Sequence, residues 1–242
     1  MIYEDFRLML FHGDRFLVEI LSIYDRLRKL FIATLGFEEK FVIRSLIRSG
    51  LSSGDSILIF APKGYTEDDK SVKAAETIKE IVSRILPDIS MRIEEYDLQR
   101  DFAEEIFRIR NVVQSYQFDE IIACLSGGMR ALILGVISIL LTLNGYPITI
   151  EVEFENLERY VRIPLNVLKI PYNSRWVTVL ESLASSRSVR AISKDTGLSP
   201  ATISRVISDM RLYRLVDEGN KVTESGYFYL KMYKKTFQEK ET

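Results

Sequence analysis

The chain has 242 residues, 47% of them hydrophobic, with 33 Lys+Arg against 34 Asp+Glu, which is material for two cored domains at a net charge of -1. A single cysteine, Cys124, and a single histidine, His12, exclude a disulfide framework and a zinc cluster and leave little for histidine-dependent catalysis, so no metal site and no catalytic residue is expected. The near-neutral total hides an asymmetry: from Lys169 onward there are 13 Lys+Arg against 8 Asp+Glu, and before it 20 against 26, so a nucleic-acid contact belongs in the C-terminal part.

Residues 1–28, with Phe6, Leu8, Leu10, Phe11, Phe16 and Leu17, follow no clear period and are taken as an extension of unknown role. Glu4 and Asp5, and the lack of a small-residue cleavage site after the apolar stretch, argue against a secretory signal, so a cytoplasmic protein is expected. Apolar periodicity then predicts strands at 30–35, 56–60, 89–96 and 120–124, alternating with helices at 38–49, 68–86, 101–116 and 129–144. Pro87 stops the second helix. The longest apolar run, 131–143, is too short to span a membrane and reads as a buried helix. Segments 148–154 and 157–163, about Glu155-Asn156, look like a closing antiparallel hairpin.

The expected fold class is therefore α/β, a Rossmann-like, mostly parallel sheet over 29–163, followed by an α+β winged helix-turn-helix domain over 174–242, with 164–173 as linker. In the second domain Gly197 permits the left-handed turn that ends one helix, Ser199 caps the next, and Pro200 occupies its first position. Ile203, Val206, Ile207 and Met210 form the apolar stripe of that helix. Its solvent side, with the cap Ser199, is Ala201, Thr202, Ser204, Arg205, Ser208 and Arg211, short hydroxyls and arginines that suit a major groove. Residues 215–222 read as two short strands about a Glu-Gly-Asn turn, a wing carrying Lys221. Tyr227, Leu230, Met232, Tyr233 and Phe237 on a last helix, 224–241, suggest a dimer or inter-domain seam.

The strand ending at Cys124 runs through Leu125-Ser126-Gly127-Gly128-Met129-Arg130 into an apolar helix, an arrangement that makes an anion site from close-approaching glycine backbone and unpaired first-turn N–H groups. Arg130 adds a bidentate donor. Three other loops follow strand ends, at 34–38, 61–65 and 97–101. From these come Lys63, Gly64 and Arg100 as candidate ligand residues beside Met129.

On the residues Thr34-Leu35-Gly36-Phe37, on the Ser126-Gly127-Gly128-Met129-Arg130 turn and on the appended winged helix, the stretch from Lys29 to Thr242 resembles the CRISPR-associated Rossmann-fold sensor domains (CARF). Among these it is similar to the archaeal type I-A regulators. The resemblance implies a homodimer whose two sites join across the twofold axis to hold a cyclic oligoadenylate, lined by Thr34, Gly36, Phe37, Ser126, Gly127, Gly128 and Arg130. It further implies a transcriptional regulator of CRISPR loci in antiviral defence, with double-stranded DNA at CRISPR-associated promoters, and an interference complex, as partners. No cofactor beyond the cyclic oligoadenylate effector, cyclic tetra-adenylate first, no membrane and no enzymatic activity are expected. The alternative is a slow ring nuclease in which Lys63 and Ser126 support attack by a ribose hydroxyl. A nicotinamide-dependent redox sensor would carry Gly-x-Gly-x-x-Gly after the first strand, where this chain has Thr-Leu-Gly-Phe-Glu.

Overall fold

A computed structural model describes residues 27–185 and 187–238. The expected N-terminal extension, its last two residues apart, the end of the last helix at 241 and the Phe237 side chain lie outside the described part.

Four strands pair in parallel: β1 (Lys29–Thr34), β2 (Ser56–Pro62), β3 (Ser90–Tyr96), which forms one edge, and β4 (Glu120–Cys124). Then β5 (Ile148–Glu153) adds in parallel and β6 (Tyr160–Pro164) returns antiparallel, in the order β3-β2-β1-β4-β5-β6. Helices α1 (Lys40–Ser49) and α2 (Asp69–Ile85) cover one face, meeting Phe31, Ala33, Ile57 and Ile59. On the other face α3 (Phe102–Gln114) and α4 (Arg130–Thr142) meet Leu30, Ile32, Leu58 and Ile150. Covered on both sides, β1 and β2 are apolar almost throughout, as central parallel strands must be. The sixth strand starts three residues later than the 157–163 pattern suggests. Leu157 takes a left-handed conformation (φ 59°) and its N–H bonds Phe154 O at 2.9 Å, so 154–159 is a turn and Leu157 contributes no strand pairing.

The C-terminal unit contains α5 (Ser174–Ala184), α6 (Val189–Thr196), α7 (Pro200–Leu212) and α8 (Glu224–Gln238). Gly197 ends α6 at φ 70° and Ser199 caps α7 by accepting from Thr202 N at 3.1 Å. Where a hairpin is predicted after α7 there is one antiparallel bridge, Val216 to Val222. The polar turn is too tight for more: Asp217 accepts from Lys221 N through its carboxylate (2.7 Å) and donates its own N–H to Lys221 O (2.9 Å), with Asn220 left-handed at φ 63°.

Segment 164–173 is built into both cores. Its 3₁₀ turn, Leu165–Lys169, sends Leu165 into the sheet core and Val167 into the core of the C-terminal unit, which Ile170, just after the turn, also enters, all 3% exposed or less. Tyr229 Oη donates to Pro171 O (3.0 Å) and accepts from Asn173 N (2.9 Å).

Tyr96, at the end of β3, is buried against α4 at Gly135, where any Cβ would stand 2.5 Å from the Tyr96 hydroxyl oxygen, and that hydroxyl has no hydrogen-bond partner among the described residues. A buried unsatisfied hydroxyl costs about 1–3 kcal/mol, so Tyr96→Phe is expected to raise the melting midpoint by roughly 2–4 °C for each kcal/mol recovered. A lowered midpoint in thermal denaturation would mean that the hydroxyl is satisfied in solution.

Candidate functional site

The strand order reverses between β1 and β4, so the loops leaving their C-terminal ends part to opposite faces and leave a crevice between them. The two loops touch through backbone. An ideal Cβ on Gly36 would lie 2.6 Å from Gly128 N and 3.1 Å from Gly127 Cα, and one on Gly128, itself at φ +100°, would lie 2.9 Å from Leu35 O. Thr34, wholly buried, donates its hydroxyl to Gly127 O and locks the pair.

Helix α4 begins at this contact with no side-chain cap, Met129 being extended (φ -66°, ψ 140°). By contrast α2, α3, α5, α6 and α7 are capped by Asp68, Asp101, Asn173, Ser188 and Ser199. The first-turn N–H groups of α4 therefore stay available to an anion at the positive end of the helix dipole. Beside them is a groove of about 370 Å³, lined by Leu35, Gly36, Phe37, Pro62, Lys63, Gly64, Tyr65, Asp68, Ser71, Gly128 and Met129. Phe37 and Met129 are more than half exposed at its rim, and Lys70 Nζ lies 5.8 Å from the Phe37 ring centroid. Ring faces, a glycine turn and an open helix start fit a ligand with flat bases and phosphates.

Residues 29–164, which hold this crevice, match the Csa3 CRISPR-associated Rossmann-like domain. The chain belongs to that family. No curated protein matches it.

Of the sequence-derived ligand residues, this CRISPR-associated Rossmann-like domain brings Gly36, Phe37, Lys63, Gly64, Gly128 and Met129 together in the groove. Gly127 lies beneath them in backbone contact with Gly36. Thr34 and Ser126 are turned inward and hold the site instead of lining it. Ser126 Oγ accepts from Glu153 N (2.8 Å) and lies 3.5 Å from Cys124 Sγ, whose thiol burial pushes up in pKa. Arg130 stands exposed on the first turn of α4 outside the groove. Arg100 is also outside it, 3.6 Å from the buried carboxylate of Glu105. Lys63 Nζ is ion-paired with Asp97 at 2.8 Å, and that hydrogen bond, then the Gln99 N–H, holds the Asp97 carboxyl below its ordinary range.

Sequence reading missed Leu35, Pro62, Tyr65, Asp68 and Ser71 as lining residues. The spacing of Asp68 and Ser71, a cap accepting from Ser71 N (3.0 Å), was the available signal. It also missed Glu151 and Glu153. These buried carboxylates of β5 are neutralised by Arg44 and Arg48 of α1 and by Arg162 of β6, and Ser45 donates to Glu151 at 2.7 Å.

On α7, Ser199, Ala201, Ser204, Arg205 and Ser208 are exposed and Thr202 is half-buried. Lys221 is exposed on the neighbouring turn. Arg211 is committed elsewhere: its guanidinium donates to Asn220 Oδ1 (2.7 Å) and Asp217 O (3.3 Å) and pairs with Glu218 (3.4 Å), pinning that turn to α7. Among the described residues no helix is long and apolar enough to cross a membrane.

Proposed function

We propose that this protein is a homodimeric sensor that binds a cyclic oligoadenylate, cyclic tetra-adenylate first, at the β1–β4 crevice and thereby controls binding of its C-terminal winged helix to CRISPR-associated promoters. The observation that carries this reading is the uncapped α4 start beside the interlocked Gly36 and Gly127-Gly128 turns, in a chain of the CRISPR-associated Rossmann-like family. The dimer is supported by the outer face of α4, where Leu134 (61% exposed) and Leu141 (41%) stand in line with exposed Ala131. A second copy seated there would bring two crevices together at one twofold axis, and a ring with its own twofold presents equal phosphates to both. A sensor without catalysis is favoured because Lys63 and Ser126 are both engaged, by Asp97 and by Glu153 N. The ordered turn and helix α7, with Arg205 exposed on it, support major-groove binding.

Calorimetry with cyclic tetra- and hexa-adenylate, with chromatography of the same mixtures, tests the ligand. Binding without cleavage is expected; cleaved product would replace the sensor by the ring nuclease. Arg130→Ala should weaken binding by about 1.5–3 kcal/mol, the loss of a charge-assisted hydrogen bond, with the dimer retained. Unchanged affinity would remove Arg130 from the site. For DNA, Arg205→Ala should cost about 1–3 kcal/mol on a sequence selected from a random library by the wild type. An undiminished affinity across salt concentrations would sink the winged-helix assignment.

A further inference from the structure

Helix α4 runs away from the crevice for 13 residues, about 20 Å at 1.5 Å per residue, and its far end is gripped. The turn that follows gives up three carbonyls to side chains beyond the sheet. Lys169 Nζ reaches Leu143 O (3.3 Å), Asn166 Nδ2 reaches Tyr146 O (2.6 Å), and Arg214 Nη2 reaches Gly145 O (3.2 Å). Two of the three donors are cations, placed where the helix dipole leaves partial negative charge.

Arg214 differs from the other two in its place. It directly follows Tyr213, the C-cap of α7, and it takes the left-handed conformation at φ +57°. A side chain there is unfavourable and glycine would be cheaper. The conformation is held by Arg214 N donating to Arg211 O (2.9 Å) and by Thr223 Oγ1 donating to Arg214 O (2.6 Å). An arginine kept where glycine fits better points to the guanidinium as the reason.

The geometry points to Arg214 as a positioning residue that joins the two sites: it ties the end of the DNA-facing helix α7 to the far end of the helix whose start forms the crevice. A ligand drawn onto the first turn of α4 moves that helix as a rigid rod, because Gly135 seated on Tyr96 and its buried apolar face leave it no room to bend. The movement reaches Gly145 and, through Arg214, the end of α7. This inference rests on the proposed function, since it needs a ligand at the crevice and DNA on α7.

Arg214→Gly tests it in the full-length dimer, and it satisfies the backbone while deleting the guanidinium. DNA affinity is measured by fluorescence anisotropy with and without saturating cyclic tetra-adenylate, and ligand affinity by calorimetry. In the wild type the ligand should change DNA affinity by roughly 5- to 150-fold. In Arg214→Gly the ratio should fall at least threefold, the Lys169 and Asn166 contacts remaining, with ligand affinity unchanged and faster amide exchange at residues 143–146. Arg214→Asn, which also tolerates the left-handed region, should behave alike and serves if the glycine variant does not fold. A retained ratio in a folded variant overturns the inference and leaves the proposed function standing. A wild type whose DNA affinity ignores the bound ring overturns both.

Discussion

Gly226→Ala is expected to unfold the C-terminal unit and abolish the proposed DNA binding while the Rossmann-like domain keeps the proposed cyclic-oligoadenylate binding. Gly226 lies in the first turn of α8, and an ideal Cβ there would stand 2.1 Å from Leu215 O, 2.7 Å from Val222 Cγ1 and 3.1 Å from Leu215 C. The nearest obstacle is backbone, and it is committed: Leu215 O accepts from Thr223 N at 3.1 Å, and Leu215 is wholly buried. Helix propensity alone predicts the opposite sign, a gain of about 1 kcal/mol for alanine over glycine in a helix interior. Overpacking costs about 1–3 kcal/mol and occasionally more, and a contact this short against backbone belongs at the upper end. At about 0.05–0.15 kcal/mol per residue, a unit of this size has little stability to spare. Thermal denaturation should show a first transition moved to low temperature, with cyclic tetra-adenylate still bound in calorimetry. A variant that melts like the wild type and still binds DNA would mean that α8 does not approach Leu215 so closely in solution.

The second large effect is expected at the crevice. Gly36→Ala places a methyl 2.6 Å from Gly128 N and 3.2 Å from Gly127 C, so the β1 and β4 loops must separate. The Thr34 hydrogen bond to Gly127 O breaks with them. A separation costing about 2–3 kcal/mol of overpacking, if all of it is charged to the closed site, weakens ligand binding roughly 100-fold at 1.4 kcal/mol per decade. Calorimetry with cyclic tetra-adenylate, with ultracentrifugation to verify the dimer, reads this directly. Full affinity in a dimeric Gly36→Ala protein would place the ligand away from the interlocked turns. Gly36→Ser should behave like alanine, because the clash begins at Cβ.

The alternation of strand and helix from Lys29 to Thr142 was legible because each element announces itself by its own period, with Gly50 and Pro87 stopping two of the helices. The turn at Gly197 and Ser199 was legible for the same reason. Arg211 was not. Its helical phase puts it on the solvent side, and only the folded-back 217–220 turn shows where its guanidinium goes. Glu151 and Glu153 were not either, since alternation in a strand marks a face but does not say that Arg44, Arg48 and Arg162 will cover it. Segment 164–173, with Pro171 as a helix stop, reads as a linker, yet it supplies side chains to two cores.

By itself, then, the sequence determined what depends on neighbours a few residues away: the periods, the cap at Ser199, the left-handed turn at Gly197, the sheet class and the charge that separates the two halves of the chain. The tertiary structure alone decided what depends on distant partners. Thr34 and Gly127 stand 93 positions apart, and Ser126 and Glu153 stand 27 apart. A hydroxyl bonds whichever unpaired backbone group the sheet register brings within 3 Å, and that register is set by burial summed over the whole sheet. For that reason two hydroxyls with the look of ligand contacts became the fastenings of the site, while Leu35, Pro62, Tyr65, Asp68 and Ser71 joined the expected glycines, Phe37, Lys63 and Met129 in lining the groove.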